Sequence, residues 1–148
     1  MNTVTSLVDI SEKEILLSYL KTYLLEIEQA TNYPYLDSYW TDKNRIPLKL
    51  TNKEGWLGFA LINDYTIIPS NTISIAEFYI LPEYRKQELG RYFANEILQK
   101  YNGKWEIRTQ IYNKTANQFW DKLVSEFSKE DFNQDEIKNE IVYSFLSN

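Results

Sequence analysis

The chain has 148 residues, a length that fits one domain able to bury about two thirds of its unfolded surface. Cysteine and histidine are both absent, which removes thiol nucleophiles, imidazole bases and nearly every zinc site and leaves carboxylates, phenols, lysines and backbone amides for any chemistry. The net charge of −5 argues against a nucleic-acid groove and favours a cationic partner.

The first residues, MNTVTSLVDISEKE, lack the basic and apolar regions of a secretory leader, and no apolar run approaches the roughly 20 residues that span a bilayer. With no cysteine, the expectation is a cytoplasmic protein with no membrane contact. In chain order, residues 4 to 8 read as a short strand. Ser11-Glu12-Lys13-Glu14 reads as a capping box, and Ile15, Leu16, Tyr19, Leu20, Tyr23, Leu24 and Ile27 then recur at helical spacing, predicting a helix over 12 to 29 that lies on a sheet. An aromatic stretch over 33 to 47 follows. Strands are predicted over 48 to 52 and 56 to 63, joined at Asn52-Lys53-Glu54-Gly55 into a hairpin.

The next strand covers 73 to 81. A helix over 88 to 101 places Leu89, Phe93, Ile97 and Leu98 on one face and stops at Asn102-Gly103. A strand over 105 to 111, a helix over 115 to 127 and a last strand over 141 to 146 complete a single mixed α/β domain spanning 1 to 148. Asp131, Asn133 and Asp135 are spaced like the start of a calcium loop, but Glu136 and Val142 stand where glycine and glutamate are needed, so no metal is expected.

The stretch FYILPEYRKQELGRYFANEIL, residues 78 to 98, carries a strand through Pro82 into a helix start. Such a junction directs unpaired N–H groups at the positive end of a helix dipole and suits phosphate oxygens, with Arg85, Lys86 and Arg91 close by in sequence. An ordinary strand-to-helix turn with solvated basic residues fits the same pattern.

The run from Phe78 to Arg91 resembles motif A of the Gcn5-related N-acetyltransferases, whose Arg/Gln-x-x-Gly-x-Gly/Ala loop grips acetyl-CoA. Arg85 and Gly90 match its ends, and Glu88 stands at the usual first glycine. Asn113-Lys114-Thr115-Ala116-Asn117-Gln118-Phe119-Trp120 resembles motif B, and the two motifs with the element order extend the likeness over residues 56 to 125. Trp105-Glu106 together with Phe119-Trp120 is similar to a subgroup of predicted bacterial acetyltransferases.

The resemblance implies a mostly antiparallel sheet with helices on both faces, splayed where the strands ending near Ile80 and Ile111 separate. It further implies acetyl-CoA as co-substrate, held by Tyr79, Ile80, Arg85, the segment Lys86, Gln87, Glu88, Leu89, Gly90 and Arg91, and Asn113, Phe119 and Trp120. Asn113 equally suits a plain helix N-cap, and Trp120 suits core packing. The implied reaction is direct attack of a neutral primary amine on the thioester, the oxyanion being stabilised by strand amides.

Glu77 is the expected general base, with Glu106 as its rival, and a charge-paired glutamate on the sheet is the plainer reading of either. The family's usual acid is a tyrosine where Trp120 stands, so Tyr112, Tyr79 or Tyr84 is the expected substitute, with protonation of the thiolate by water as the alternative. Tyr33, Tyr35 and Asp37 combine aromatic faces with a carboxylate and are the expected acceptor contacts for a small-molecule or peptide amine. A homodimer is left open. A CoA-binding or partner-binding module without turnover is the alternative reading.

Overall fold

The computed structural model describes residues 2–85 and 88–148. Ten elements run in the order β1 (Val4–Leu7), α1 (Lys13–Glu26), β2 (Ile46–Asn52), β3 (Gly55–Asn63), β4 (Ile73–Ile80), α2 (Leu89–Lys100), β5 (Gly103–Gln110), α3 (Lys114–Ser128), β6 (Phe132–Ile137) and β7 (Glu140–Ser147), with short 3₁₀ turns at Ile10–Glu12, Leu36–Trp40 and Pro82–Tyr84. The strands form one seven-stranded sheet in the order β1-β2-β3-β4-β5-β7-β6. Neighbours are antiparallel except β4 and β5, which run parallel. Among the described residues no helix is long and apolar enough to cross a membrane.

Both faces of the sheet are covered. On one, Leu16, Leu20 and Leu24 of α1 pack with Phe59, Leu61, Tyr79 and Leu81. On the other, Phe93, Ile97 and Leu98 of α2 and Leu123 and Val124 of α3 pack with Ala60, Ile62, Ile75, Ile107 and Tyr143. Burial on both sides explains why β3 reads WLGFALI as one apolar run rather than as an alternation.

Local signals place the ends. The capping box forms two residues earlier than the sequence suggests, at Asp9 and Glu12: Ser11 N donates to Asp9 Oδ2 at 2.9 Å and Asp9 N to Glu12 Oε1 at 3.0 Å. The 3₁₀ turn it opens feeds into α1. That helix stops short of residue 29 because Glu28 turns left-handed at φ 59°, with Gln29 N bonded to Leu24 O at 2.8 Å and Glu28 N to Leu25 O at 3.1 Å, a Schellman closure.

β6 is a strand the sequence did not announce. Its segment FNQDEI is mostly exposed and holds Asn133 and Asp135 of the calcium-like triplet in extended form, with Asp131 just ahead of it. Lys138 and Asn139, at φ 48° and 67°, make the two-residue primed turn into β7 without the usual glycine.

Two irregularities shape the middle of the sheet. Leu61 faces Glu77 while Ile62 faces Ile75, so Ala76 is the extra residue of a bulge in β4. Gly58 lies opposite Ile80, where a Cβ would overlap the Tyr79 carbonyl oxygen; only glycine lets β3 approach β4 so closely.

Candidate active site

β4 and β5 pair at only three positions, Ile73 with Trp105, Ser74 with Glu106 and Ile75 with Ile107. Beyond these, β4 continues to Ile80 and β5 to Gln110 without pairing each other. The two strands diverge into a V whose β4 wall presents a backbone edge with no strand partner among the described residues. Asn117 of α3 fixes the far wall: it pairs with the Thr109 hydroxyl, and its Nδ2 donates to the carbonyls of Gln110 at 3.3 Å and Ile111 at 3.1 Å. Asn117 was not singled out in the sequence, although it lies one helical turn after Asn113 and so shares the face turned to the strand end.

Glu77 stands on the α1 face of β4. Tyr23 of α1 donates to its Oε1 at 2.9 Å, and Tyr33, from the connection after α1, donates to Oε2 at 3.1 Å. Burial drives the Glu77 carboxyl above the ordinary glutamate range; the two phenol bonds and the charge of Arg108 oppose the rise without cancelling it. Burial and then the Glu77 charge raise both phenols far above the usual tyrosine range. Tyr39 extends the cluster, its hydroxyl accepting from Asn63 Nδ2 at 3.1 Å. The result is a half-buried carboxylate ringed by protonated phenols, equipped to receive a proton in a poorly solvated setting.

At the junction after β4, Arg85 faces α1. Its Nη1 and Nη2 meet Glu26 at 2.6 and 3.0 Å, its Nε donates to Ile80 O at 2.9 Å, and its guanidinium lies 5.2 Å over the Tyr79 ring. The carbonyl of Ile80, a residue expected to meet the co-substrate, is therefore already bonded within the chain. Lys86 and Gln87 lie outside the described residues.

Glu88 caps α2 in the left-handed region, at φ 60° and ψ 16°, with no side-chain bond to the helix amides. A glycine is common at such a position because no Cβ is strained there. Leu89, Gly90 and Arg91 open the helix, their amides directed outward as in any first turn. Leu89 is buried, and Arg91 pairs with Glu126 of α3 at 3.1 Å. A Cβ on Gly90 would come 3.3 Å from the Phe119 ring, so glycine keeps α2 close to α3. A groove of about 630 Å³ runs along the outer side of this helix past Glu88, Arg91, Tyr92 and Asn95.

Asn113 is the N-cap of α3, its Oδ1 accepting from Ala116 N at 3.1 Å. Phe119 and Trp120 pack with Phe78 in an aromatic cluster, with centroids 5.9, 5.0 and 4.9 Å apart for Phe78–Phe119, Phe78–Trp120 and Phe119–Trp120. Trp120 is buried, which makes it a wall and no proton source. Tyr112 is exposed on the turn between β5 and α3; Tyr84 packs beside the core, and the Tyr79 hydroxyl is buried with no hydrogen-bond partner among the described residues.

Glu106, the alternative to Glu77 in the sequence, is bonded quite differently. It is fully buried, with Ile68 N and Asn71 Nδ2 on Oε1, each at 3.0 Å, and Ile67 N at 2.8 Å together with Arg108 on Oε2. Burial alone would raise its pKa, but the amides of Ile67 and Ile68, Asn71 and Arg108 outweigh it and hold the carboxyl below the ordinary range. Its lone pairs are spent on clipping the 64–72 loop to β5.

Of the expected acceptor residues, Tyr33 reaches Glu77, whereas Tyr35 is exposed and Asp37 is a surface residue paired with Lys13. Tyr23, which sequence periodicity assigns simply to the apolar face of α1, is the other residue at the carboxylate.

The model of the acetyltransferase (GNAT) family matches residues 13–124. The chain belongs to this family. Its members transfer acetyl groups from acetyl-CoA to amine acceptors. The fold is similar to that of a GNAT-family acetyltransferase from Staphylococcus aureus (TM-score 0.72, 12% identity, 99% of this chain and 100% of that one). It is also similar to the PaiA N-acetyltransferase of Thermoplasma acidophilum in complex with coenzyme A (TM-score 0.67, 13% identity, 99% of each chain), and to a spermidine N-acetyltransferase chimera from Vibrio cholerae and hSSAT (TM-score 0.73, 11% identity, 99% and 96%). No curated protein sequence is similar enough to count as a relative.

Proposed function

We propose that this GNAT domain is an acetyl-CoA-dependent N-acetyltransferase that passes the acetyl group directly to a primary amine of a small molecule or peptide. The observation that carries the reading is the parting of β4 from β5 beyond Ile75 and Ile107 with the buried, phenol-bonded Glu77 beside it. The site fits the co-substrate: the unpaired edge of β4 suits an amide-bearing arm, and the first amides of α2 suit a pyrophosphate, with Gly90 letting that helix start pack against Phe119 of α3.

Acetyl-CoA, when bound, supplies the activated acetyl group. Glu77 takes the proton of the incoming ammonium, directly or through water, and its raised pKa brings it closer to the operating pH of such a base. Tyr23 and Tyr33 hold both oxygens of the carboxylate in place. Tyr112, exposed at the mouth of the V, is the proposed proton donor to the departing thiolate.

The second reading, a CoA-binding module with little turnover, draws on the Arg85–Glu26 pair and on the Glu88 carboxylate at the phosphate turn. One experiment separates the two: calorimetric titration with acetyl-CoA, followed by free-thiol release over a panel of amines, for wild type and Glu77→Gln. The enzyme reading expects equal acetyl-CoA affinity and a loss of about 10²- to 10⁴-fold in transfer for the variant. Equal turnover removes Glu77 as base, binding without release for every amine favours the module, and absence of acetyl-CoA binding removes both readings.

A further inference from the structure

Arg108 plays no part in the chemistry described so far, yet it lies on the same face of the sheet as Glu77. It follows Ile107, the last β5 residue paired with β4, and lies two residues from Glu106, to which Nη1 donates. Glu106 faces Ser74 across the strands; the Ser74 hydroxyl donates to Asn63 at 2.8 Å, and Asn63 donates to Tyr39 on the α1 side. The row therefore lies on the Glu77 face. The Arg108 charge is felt at Glu77, where it opposes the effect of burial.

The surroundings of the guanidinium are asymmetric. Nη1 also reaches the Tyr65 carbonyl at 3.4 Å, and the ring of Tyr65, itself exposed, lies 5.5 Å over the charge. Nε and Nη2 have no acceptor among the described residues, and the side chain keeps 16% of its surface exposed. Those two nitrogens form the side-on edge of an arginine, the edge that grips a carboxylate through two parallel bonds. Glu106, anchored by three other donors, fixes the orientation of that edge.

A purely cationic acceptor would be drawn to Glu77 and repelled by this free edge. An acceptor carrying both charges satisfies both. We propose that the acceptor is a small amine bearing a carboxylate a few bonds away, its ammonium at Glu77, its carboxylate on the Nε–Nη2 edge of Arg108, and Tyr65 flanking it. This assignment deepens the N-acetyltransferase reading and rests on it.

The test is calorimetric binding, in saturating CoA, of matched amines differing only in the carboxylate: lysine against cadaverine, ornithine against putrescine, 4-aminobutyrate against propylamine. The carboxylated member should bind about tenfold or more tighter, as charge-assisted hydrogen bonds require. Arg108→Lys keeps a cation for buried Glu106 but loses the fork, and should abolish the preference; Tyr65→Ala, which leaves the Glu106 pair intact, should reduce it. Tighter or equal binding of the decarboxylated members, no binding of any carboxylated amine, or a preference unchanged in Arg108→Lys overturns the proposal. Thiol release from acetyl-CoA with the same amines, in samples without added CoA, separates the two readings. Release with decarboxylated amines alone keeps the transferase and removes this acceptor class, whereas tight binding of carboxylated amines without release does the reverse.

Discussion

Tyr33 donates to Glu77 Oε2 at 3.1 Å across 44 residues of sequence, closing the connection after α1 onto the central strand. With Tyr23 on the other oxygen, the carboxylate is held from two elements on one face of the sheet.

These bonds favour the charged form, but burial prevails and the carboxyl is raised. A group with a raised folded-state pKa contributes stability that is complete below its unfolded value and is lost as pH climbs through its folded value. Glu77→Gln, neutral at every pH, should melt above wild type near pH 7, the gap closing as pH falls into the ordinary glutamate range. Melting curves across that range check it; a gap independent of pH, or a variant that melts lower at neutrality, would sink the account.

Glu106 runs the opposite way. Its carboxyl is lowered by the donors around it, so its contribution is present above the ordinary glutamate range and is lost as pH falls through its own value. Removing one partner of a buried, bonded pair costs about 3–5 kcal/mol, and Glu106→Gln should lose that order of stability in urea unfolding at pH 7. Faster hydrogen exchange at the amides of Ile67 and Ile68, which now bond the carboxylate, should accompany it. Unchanged exchange there would mean that the loop is held by other contacts.

Glu88 occupies a left-handed position as helix cap, where a non-glycine residue is strained by about 1–2 kcal/mol. Glu88→Gly should raise the melting temperature and, by removing a carboxylate from the phosphate turn, tighten acetyl-CoA binding. Calorimetric titration at two salt concentrations measures the second effect, which should shrink at high salt. Weaker binding by the glycine variant would show that Glu88 turns away from the ligand and serves another purpose.

The strands and helices that pack on the core were legible because apolar periodicity records burial, and β6 was not, because an edge strand with polar side chains carries no such record. The two motifs located the V and the helix start. What sequence could not supply was the ring around Glu77. Strict alternation puts Ile75, Glu77 and Tyr79 on one face, but the bulge at Ala76 sends Ile75 to the α2–α3 side and the other two to the α1 side. Tyr23 looked like core, and the role of Glu106 as an anchor depends on loop amides that no spacing rule connects to it.

The last prediction concerns Arg85, which the motif marks for phosphate and which the fold ties to Glu26, Ile80 and the Tyr79 ring. The two ion-pair partners are each 40% exposed, and exposed pairs contribute only about 0–1 kcal/mol, so a phosphate group can outcompete Glu26 for the guanidinium. Glu26→Gln should then leave stability nearly unchanged and tighten acetyl-CoA binding a few-fold, because Arg85 no longer has to leave a carboxylate. Arg85→Ala should weaken binding, and the double variant should bind like Arg85→Ala, since Glu26 acts only through Arg85. Titrating acetyl-CoA into all four proteins completes the cycle. If both single variants bind acetyl-CoA as wild type does while melting lower, Arg85 is a strut between α1 and the end of β4, and the phosphate is held by backbone amides of the helix start alone.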